Sequence, residues 1–253
     1  WINASDLSTT DNRIEDVQKV LNEKYNNQER ISVYVKQLDT DRVAAINDEK
    51  SMYAASVAKL GVLYYAQERL SQKKLSLSDE YQYTSAVNDF PGAYDPDGSG
   101  KISKMPDDKN YSLENLLKAV AQNSDNVATN ILGYYVANQY DNSFQKSVDK
   151  ASATSWNMDK KELTARAAGT LMEAVYRQNG DIINYLSSTD YDGERISKNI
   201  DVPVAHKIGD AYDFKHDVAI VYTDSPFILS IFTDKEGYDK ITSIADDVYG
   251  ILK

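Results

Sequence analysis

Ser56-Val-Ala-Lys59 sets a hydroxyl and an amine three residues apart. A serine hydroxyl is a poor nucleophile until a neighbouring base takes its proton. On a helix, positions i and i+3 share a face, so Lys59 can reach that hydroxyl. Burial and nearby positive charge lower a lysine's pKa and fit it to serve as the base. A helix start also offers backbone N–H groups to a developing oxyanion. Two more groupings follow along the chain. Ser124-Asp-Asn126 projects a hydroxyl and a carboxamide from one short loop, able to relay a proton and hold a substrate amide. His206-Lys207-Ile-Gly209 adds a positive charge, and a glycine where backbone can approach a ligand closely. Each grouping alone also fits a plainer reading: a capping serine with a surface lysine, a helix-capping loop, an edge-strand lysine before a turn.

The surrounding periodicity supplies elements to carry these groups. From about Asp11 to Tyr25, Ile14, Val17, Val20 and Leu21 fall at helical spacing, after a polar stretch at residues 1–10 that reads as a frayed end. Ile31–Leu38 alternates with period two, Asp39-Thr-Asp41 turns, and Arg42–Ile46 returns as a second strand. From Ser56, Val57, Leu60, Leu63 and Tyr64 repeat at helical spacing. Residues 71–112 read as loops around a small hairpin. Ser112 caps a helix that ends near residue 122, and helical periodicity recurs at 126–138 and 164–178. Val204–Ile208, Asp217–Thr223 and Phe227–Thr233 read as strands, with Asp224-Ser-Pro226 turning between the last two. An amphipathic helix closes the chain from about Tyr238. This order predicts an α/β (α+β) fold in which terminal helices flank one mixed sheet and the middle forms a helical lobe. Residues 1–50 and 185–253 would form the sheet-and-helix half and 51–184 the helical half, with the site in the cleft between them.

Composition excludes several classes. Lys and Arg number 28 against 39 Asp and Glu, a net charge of −11 that opposes binding to nucleic acid or anionic lipid. There is no cysteine, hence no disulfide, thiolate metal site or Cys nucleophile. With two histidines and no H-E-x-x-H, a histidine-rich metal site is ruled out by counting, and no cofactor is expected. No apolar run is long enough to span a bilayer. The chain starts at Trp1 rather than Met, so a signal peptide or anchor upstream is expected to have been removed.

The three groupings occur in the order S-x-x-K, S-D-N, K-x-G, on a helix start, a helical-lobe loop and a sheet strand. In this the sequence resembles the penicillin-recognising serine enzymes, most closely class A β-lactamase-like proteins and low-molecular-weight DD-peptidases. The resemblance runs over about residues 13–252. It includes Tyr53-Ala-Ala-Ser-Val-Ala-Lys-Leu60, Ser124-Asp-Asn-Val-Ala-Thr-Asn130 and the terminal hairpin with its helix. It implies that Ser56 forms an acyl-enzyme with Lys59 as proton acceptor. Ser124 and Lys207 would pass the proton to the leaving nitrogen, and Asn126 would orient Lys59 and the substrate amide. The backbone N–H groups of Ser56 and of Asp210, which follows Gly209, would form the oxyanion hole, while Asp125 would support its loop. The implied substrates are peptidoglycan stem peptides of D-Ala-D-Ala type or β-lactams, met by a monomer at the cell envelope or outside the cell.

Two departures narrow this. Ile208 stands where the family carries a Thr or Ser whose hydroxyl helps bind the substrate carboxylate. A lost hydrogen bond to a charged group costs roughly 1.5–3 kcal/mol. The omega-loop Glu-x-x-x-Asn pair that activates water in class A enzymes is absent between Ser143 and Thr164. One alignment puts Lys160 at the glutamate position, with Glu162 as the alternative base. The expectation is acylation with slow hydrolysis of β-lactams, beside two alternatives: a class A β-lactamase with a displaced base, or a non-catalytic muropeptide-binding module. Asp95-Pro-Asp-Gly-Ser-Gly100 imitates the front of a calcium loop, but Pro106 occupies the position of the bidentate glutamate, so it reads as a hairpin turn. His206 and His216 lack a G-x-S-x-G partner and read as packing or hydrogen-bonding residues, and the 19 tyrosines are assigned no function.

Overall fold

The computed structural model describes residues 11–253, so the expected frayed segment at 1–10 lies outside the described residues. Helix α1 (Arg13–Tyr25) leads into strands β1 (Ile31–Gln37) and β2 (Val43–Ile46). A two-residue strand β3 (Met52–Tyr53) precedes a 3-10 turn (Ala55–Lys59) and helix α2 (Leu60–Ser71). Short strands β4 (Glu80–Gln82) and β5 (Asn110–Ser112) pair across a long intervening loop. The helical lobe continues with α3 (Leu113–Asn123), α4 (Asn126–Tyr135) and α5 (Asn142–Ser152). Strand β6 (Glu162–Leu163), α6 (Ala165–Gln178) and α7 (Asp181–Tyr185) follow. Strands β7 (Val204–Ala211), β8 (Phe214–Val221) and β9 (Phe227–Asp234), then α8 (Tyr238–Leu252), complete the chain.

The main sheet has the order β2-β1-β9-β8-β7. Every pairing in it is antiparallel, so the expected mixture of strand directions is corrected: hairpins join β1 to β2, β7 to β8 and β8 to β9, and β1 pairs antiparallel with β9. Both faces of the sheet are covered. Val33, Val35, Leu229, Ile231, Ala219 and Val221 pack on Ile14, Val17 and Leu21 of α1 and on Ile241, Ile244 and Val248 of α8. The alternate positions Tyr34, Ile228, Phe232, Val218 and Ile220 turn to the helical lobe. A strand buried on both faces reads as a nearly continuous apolar run, as β9 does. Gly169 lets α6 lie flat on the sheet, because a Cβ there would stand 2.6 Å from the Tyr34 ring.

The helical lobe holds a second core. Ser112 caps α3 by accepting from the Asn115 N–H, as its position predicts. Helix α5, absent from the sequence reading, starts at Asp141, whose carboxylate accepts the N–H groups of Ser143 and Phe144. Trp156 is fully buried and donates its indole N–H to the Ala58 carbonyl (3.1 Å), tying the loop after α5 to the turn that carries Ser56. Strand β6 pairs with β3, Tyr53 opposite Glu162, and fixes the same loop along its other end.

Candidate active site

Ser56 sits in the 3-10 turn that runs directly into α2. Ala55 before it has φ of 49°, a left-handed conformation that costs a residue with a Cβ. The Tyr94 hydroxyl donates to the Ala55 carbonyl (3.1 Å) and helps hold this bend. Near its start, a helical turn has no earlier carbonyl of its own for its N–H groups, which leaves the Ser56 N–H for a ligand.

The edge strand β7 runs against this turn. A Cβ on Gly209 would meet the Ala54 carbonyl oxygen at 2.5 Å and Val57 at 3.1 Å, so only glycine permits the approach. In β7 the His206 N–H points away from β8, donating to the Leu186 carbonyl (2.9 Å). Antiparallel pairing alternates, so the Asp210 N–H, four residues on, also points off the sheet edge. That direction leads into the cleft beside Ser56.

Behind Ser56 lies a buried polar chain. Lys59 donates to the Ser124 carbonyl (2.5 Å), to Oδ1 of Asn126 (2.6 Å) and at 3.5 Å to the Ser124 hydroxyl. Lys207 donates to the same hydroxyl (2.8 Å) and to the Ile208 carbonyl (3.2 Å). Ser124 Oγ thus stands between two lysine amines. Burial first, and then the charge of Lys207, pull Lys59 well below the ordinary lysine pKa. Burial lowers Lys207 to about 7, with Asp217 opposing and Arg195 adding to the shift. Among the described residues no hydrogen bond joins Lys59 to the Ser56 hydroxyl, and the amine is turned toward Ser124 and Asn126.

The Ser124–Asn126 tripeptide is the joint between α3 and α4. Ser124 takes φ of 54° at the end of α3, and Asp125 caps α4 through the Ala128 N–H (2.8 Å). The second Asp125 oxygen accepts the N–H groups of Lys101 (2.6 Å) and Ile102 (2.9 Å), so this carboxylate is structural. Asn126 donates Nδ2 to the Asp95 carbonyl (2.7 Å), and its N–H donates to the Ser99 carbonyl (2.8 Å). Segment 95–100 does turn, the Gly98 N–H donating to the Asp95 carbonyl (3.1 Å), but the paired strands β4 and β5 lie far from it in sequence, so it is not the expected hairpin turn. It is a rim loop tied to Asn126 through the Asp95 and Ser99 carbonyls and anchored just beyond by Asp125 at Lys101 and Ile102, contacts that no local pattern encodes.

A cleft of about 260 Å³ opens onto Ser56. Of the sequence-predicted residues, Ser56, Asn126 and Asp210 line it. Lys59, Ser124 and Lys207 are buried immediately behind, with Ile208 and Gly209 outside the wall. The lining also includes Tyr53, Tyr94, Lys161 and Tyr212, which the sequence reading did not select. Neither Lys160 nor Glu162 lines the cleft. Glu162 is exposed and borders a separate depression with Lys50 and Phe214, so the alternative that makes it a base has no support in the geometry. Lys161, between them, is the one turned inward. Asp210 is clamped by Arg195 (2.8 Å), Lys215 (2.6 Å) and the Tyr238 hydroxyl. Its burial is outweighed by these partners, which hold its carboxyl below the usual range. Arg195 is itself buried and stacks on Tyr238, a partner that only the folded chain supplies.

The histidines hold structure. His206 lies between Asp217 (3.1 Å) and Asp192 (3.1 Å). Burial lowers its pKa, and the two carboxylates more than reverse this, raising it to about 9. His216 stacks on Phe232 at 4.1 Å, and its Nε2–H donates to the Tyr53 carbonyl (2.8 Å) while Nδ1 accepts from Thr233. Burial pushes it down to about 4.

Comparison with known proteins agrees with this arrangement. No curated protein matches the chain by sequence. The fold is similar to that of PBP-A, with a TM-score of 0.75 at 15% identity over 96% of each chain. An acyl-enzyme complex of a PBP-A mutant with penicillin G gives 0.76 at 15% identity, covering 95% of this chain and 96% of that one. A β-lactamase from Desulfarculus baarsii DSM 2075 gives 0.72 at 16% identity, covering 94% and 97%. Residues 12–252 match the family described as the beta-lactamase enzyme family. With nearly its whole length matched, the chain belongs to that family, a group of penicillin-recognising serine hydrolases.

Proposed function

We propose that this protein is an acyl-transfer hydrolase that forms an acyl-enzyme on Ser56 with D-Ala-D-Ala-type cell-wall peptides or β-lactams, and that it releases β-lactam products slowly. Lys59 takes the Ser56 proton as the hydroxyl attacks the carbonyl. The developing oxyanion is met by the N–H groups of Ser56 and Asp210. Ser124 passes its proton to the leaving nitrogen and regains one from the Lys59 ammonium, with Lys207 holding its hydroxyl, and Asn126 keeps Lys59 in place. The observation that carries this reading is the Lys59–Ser124–Lys207 chain. Burying two lysines beside one another costs several kcal/mol, which a module that only binds would have no reason to bear. Slow release is supported by the cleft wall. Its two carboxylates are committed, Asp210 to Arg195 and Lys215, and Asp95 to the N–H of Asp97 (2.9 Å). The site of action proposed is the cell envelope, with the chain working as a monomer.

The test is a stopped-flow reaction with nitrocefin. A burst of about one product per chain followed by slow turnover is expected. Fast steady-state turnover without a burst refutes the slow release.

A further inference from the structure

Of the large apolar side chains that stand exposed among the described residues, Val43, Met105, Tyr135 and Tyr212, only Tyr212 lines the Ser56 cleft. It is 86% exposed and sits with Asp213 in the two-residue turn between β7 and β8. Its φ is 53°, a conformation that such turns usually give to glycine or asparagine. An aromatic ring there carries a backbone cost and buries almost nothing in return, so neither the turn nor the core accounts for it. The ring neighbours that of Tyr53, with 6.0 Å between centres. Tyr53 also lines the cleft and is held firmly: its ring lies 6.2 Å from Phe214, its carbonyl accepts from His216 Nε2 (2.8 Å), and its backbone pairs with Glu162. The cleft wall thus carries a fixed tyrosine with an exposed one beside it.

The proton path gives the substrate a direction along β7. Ser124, the donor to the leaving nitrogen, is bonded to Lys207 Nζ, which also reaches the Ile208 carbonyl (3.2 Å). The leaving group therefore lies at the level of Ile208. The carbonyl under attack is met by the Asp210 N–H, so the acyl side of the substrate continues the same way, past Ala211 to the turn. Asp210, Ala211 and Tyr212 line the cleft in succession. At about 3.3 Å per residue, Tyr212 stands roughly 6.6 Å beyond Asp210, within reach of a group a few bonds from that carbonyl. The charged groups of the wall are committed elsewhere: Asp210 to Arg195 and Lys215, Asp95 to the Asp97 N–H, and Lys161 to the carbonyls of Gly92 and Met158. The two tyrosine rings remain, and such rings attract a flat apolar ring through offset or edge contacts.

We propose that Tyr212, with Tyr53 beside it, is a specificity-determining residue that favours acyl donors carrying a flat apolar ring on the acyl side of the scissile bond. This rests on Ser56 as the acyl carrier and on Ser124 as the proton donor to the leaving group. A ring laid on Tyr212 covers apolar surface that the free protein leaves in water. A contact made equally in the bound and transition states shows in the second-order rate of acylation.

The experiment follows acylation of the intact protein by intact mass and compares second-order rates for two penicillins. One is penicillin G, and the other carries a straight alkanoyl side chain, which keeps the amide and lacks the ring. Wild type is expected to prefer penicillin G about 10-fold. Tyr212→Gly suits the turn and removes the ring, and its preference should fall to about twofold or less. Tyr212→Phe keeps the ring and should keep the preference. Should the glycine variant fail to fold, Tyr212→Asn tolerates the same φ and is read in the same way. A wild type without preference overturns the proposal, as does a variant lacking the ring that retains the wild-type ratio. A phenylalanine variant that loses the preference overturns it too, by placing the selection in the hydroxyl. No adduct with either penicillin would remove Ser56 as acyl carrier, and the proposal with it. Adducts formed without selection would leave Ser56 standing and remove the role of Tyr212 alone.

Discussion

Gly209→Ala tests the contact that brings sheet and nucleophile together. The new methyl would stand 2.5 Å from the Ala54 carbonyl oxygen, where such a contact ordinarily needs about 3.3–3.6 Å. Roughly an ångström must therefore be absorbed between a strand inside a hydrogen-bonded sheet and a turn pinned by Tyr94 and Lys161. Overpacking of this kind costs about 1–3 kcal/mol. The shift also falls between the Ser56 and Asp210 N–H groups, and a misplacement of about 1 Å at a reacting centre costs about 100-fold in rate. Urea unfolding and the rate of covalent labelling by a fluorescent penicillin, measured on one preparation, give both numbers. The expected result is about 2 kcal/mol less stability with about 100-fold slower labelling. Wild-type labelling and stability would refute the close approach of β7 to the Ser56 turn.

Other expectations concern the supports of the site. His206 has a folded pKa of about 9 against 6.5 when unpaired, so its stabilising contribution is complete below pH 6.5 and is lost as pH rises through 9. In urea titrations the stability gap between wild type and His206→Gln should narrow by about 3 kcal/mol from pH 6 to pH 10, and a constant gap would exclude the Asp217–His206–Asp192 arrangement. Asp125→Ala strands the N–H groups of Lys101, Ile102 and Ala128, costing about 3 kcal/mol. Limited proteolysis should then cut the 95–102 loop, and an intact loop of unchanged stability would show that Asp125 does not hold it.

Much of this site was legible because its residues sit on elements with local signals. Ser56 and Lys59 fall at helical spacing, Ser124–Asn126 at a helix joint, and Lys207 on a strand whose alternation is plain. What escaped reading is brought in by contacts distant in sequence. Lys161 lies on a loop with no periodicity, and its place in the cleft depends on a two-residue pairing of β3 with β6. Tyr94 is one of 19 tyrosines and is distinguished by contacts that the fold supplies, the two lysines against its ring and its hydroxyl bond to the Ala55 carbonyl. Helix α5 is mostly polar and buries little beyond Phe144, Val148 and Ser152, too few positions to announce a helix. The rim loop was misread as a hairpin because its glycines serve close approach to Asp125 and Asn126 rather than a two-strand turn. Strand direction depends on which strands become neighbours, and the antiparallel β1–β9 pair joins segments from opposite ends of the chain.

Acylation of Ser56 is most directly tested by the intact mass of the protein after incubation with penicillin G, beside Ser56→Ala, followed by peptide mapping. One penicillin added per wild-type chain, located on Ser56 and absent from the variant, is the expected result. An unmodified wild type, or a label that persists in Ser56→Ala, would contradict it.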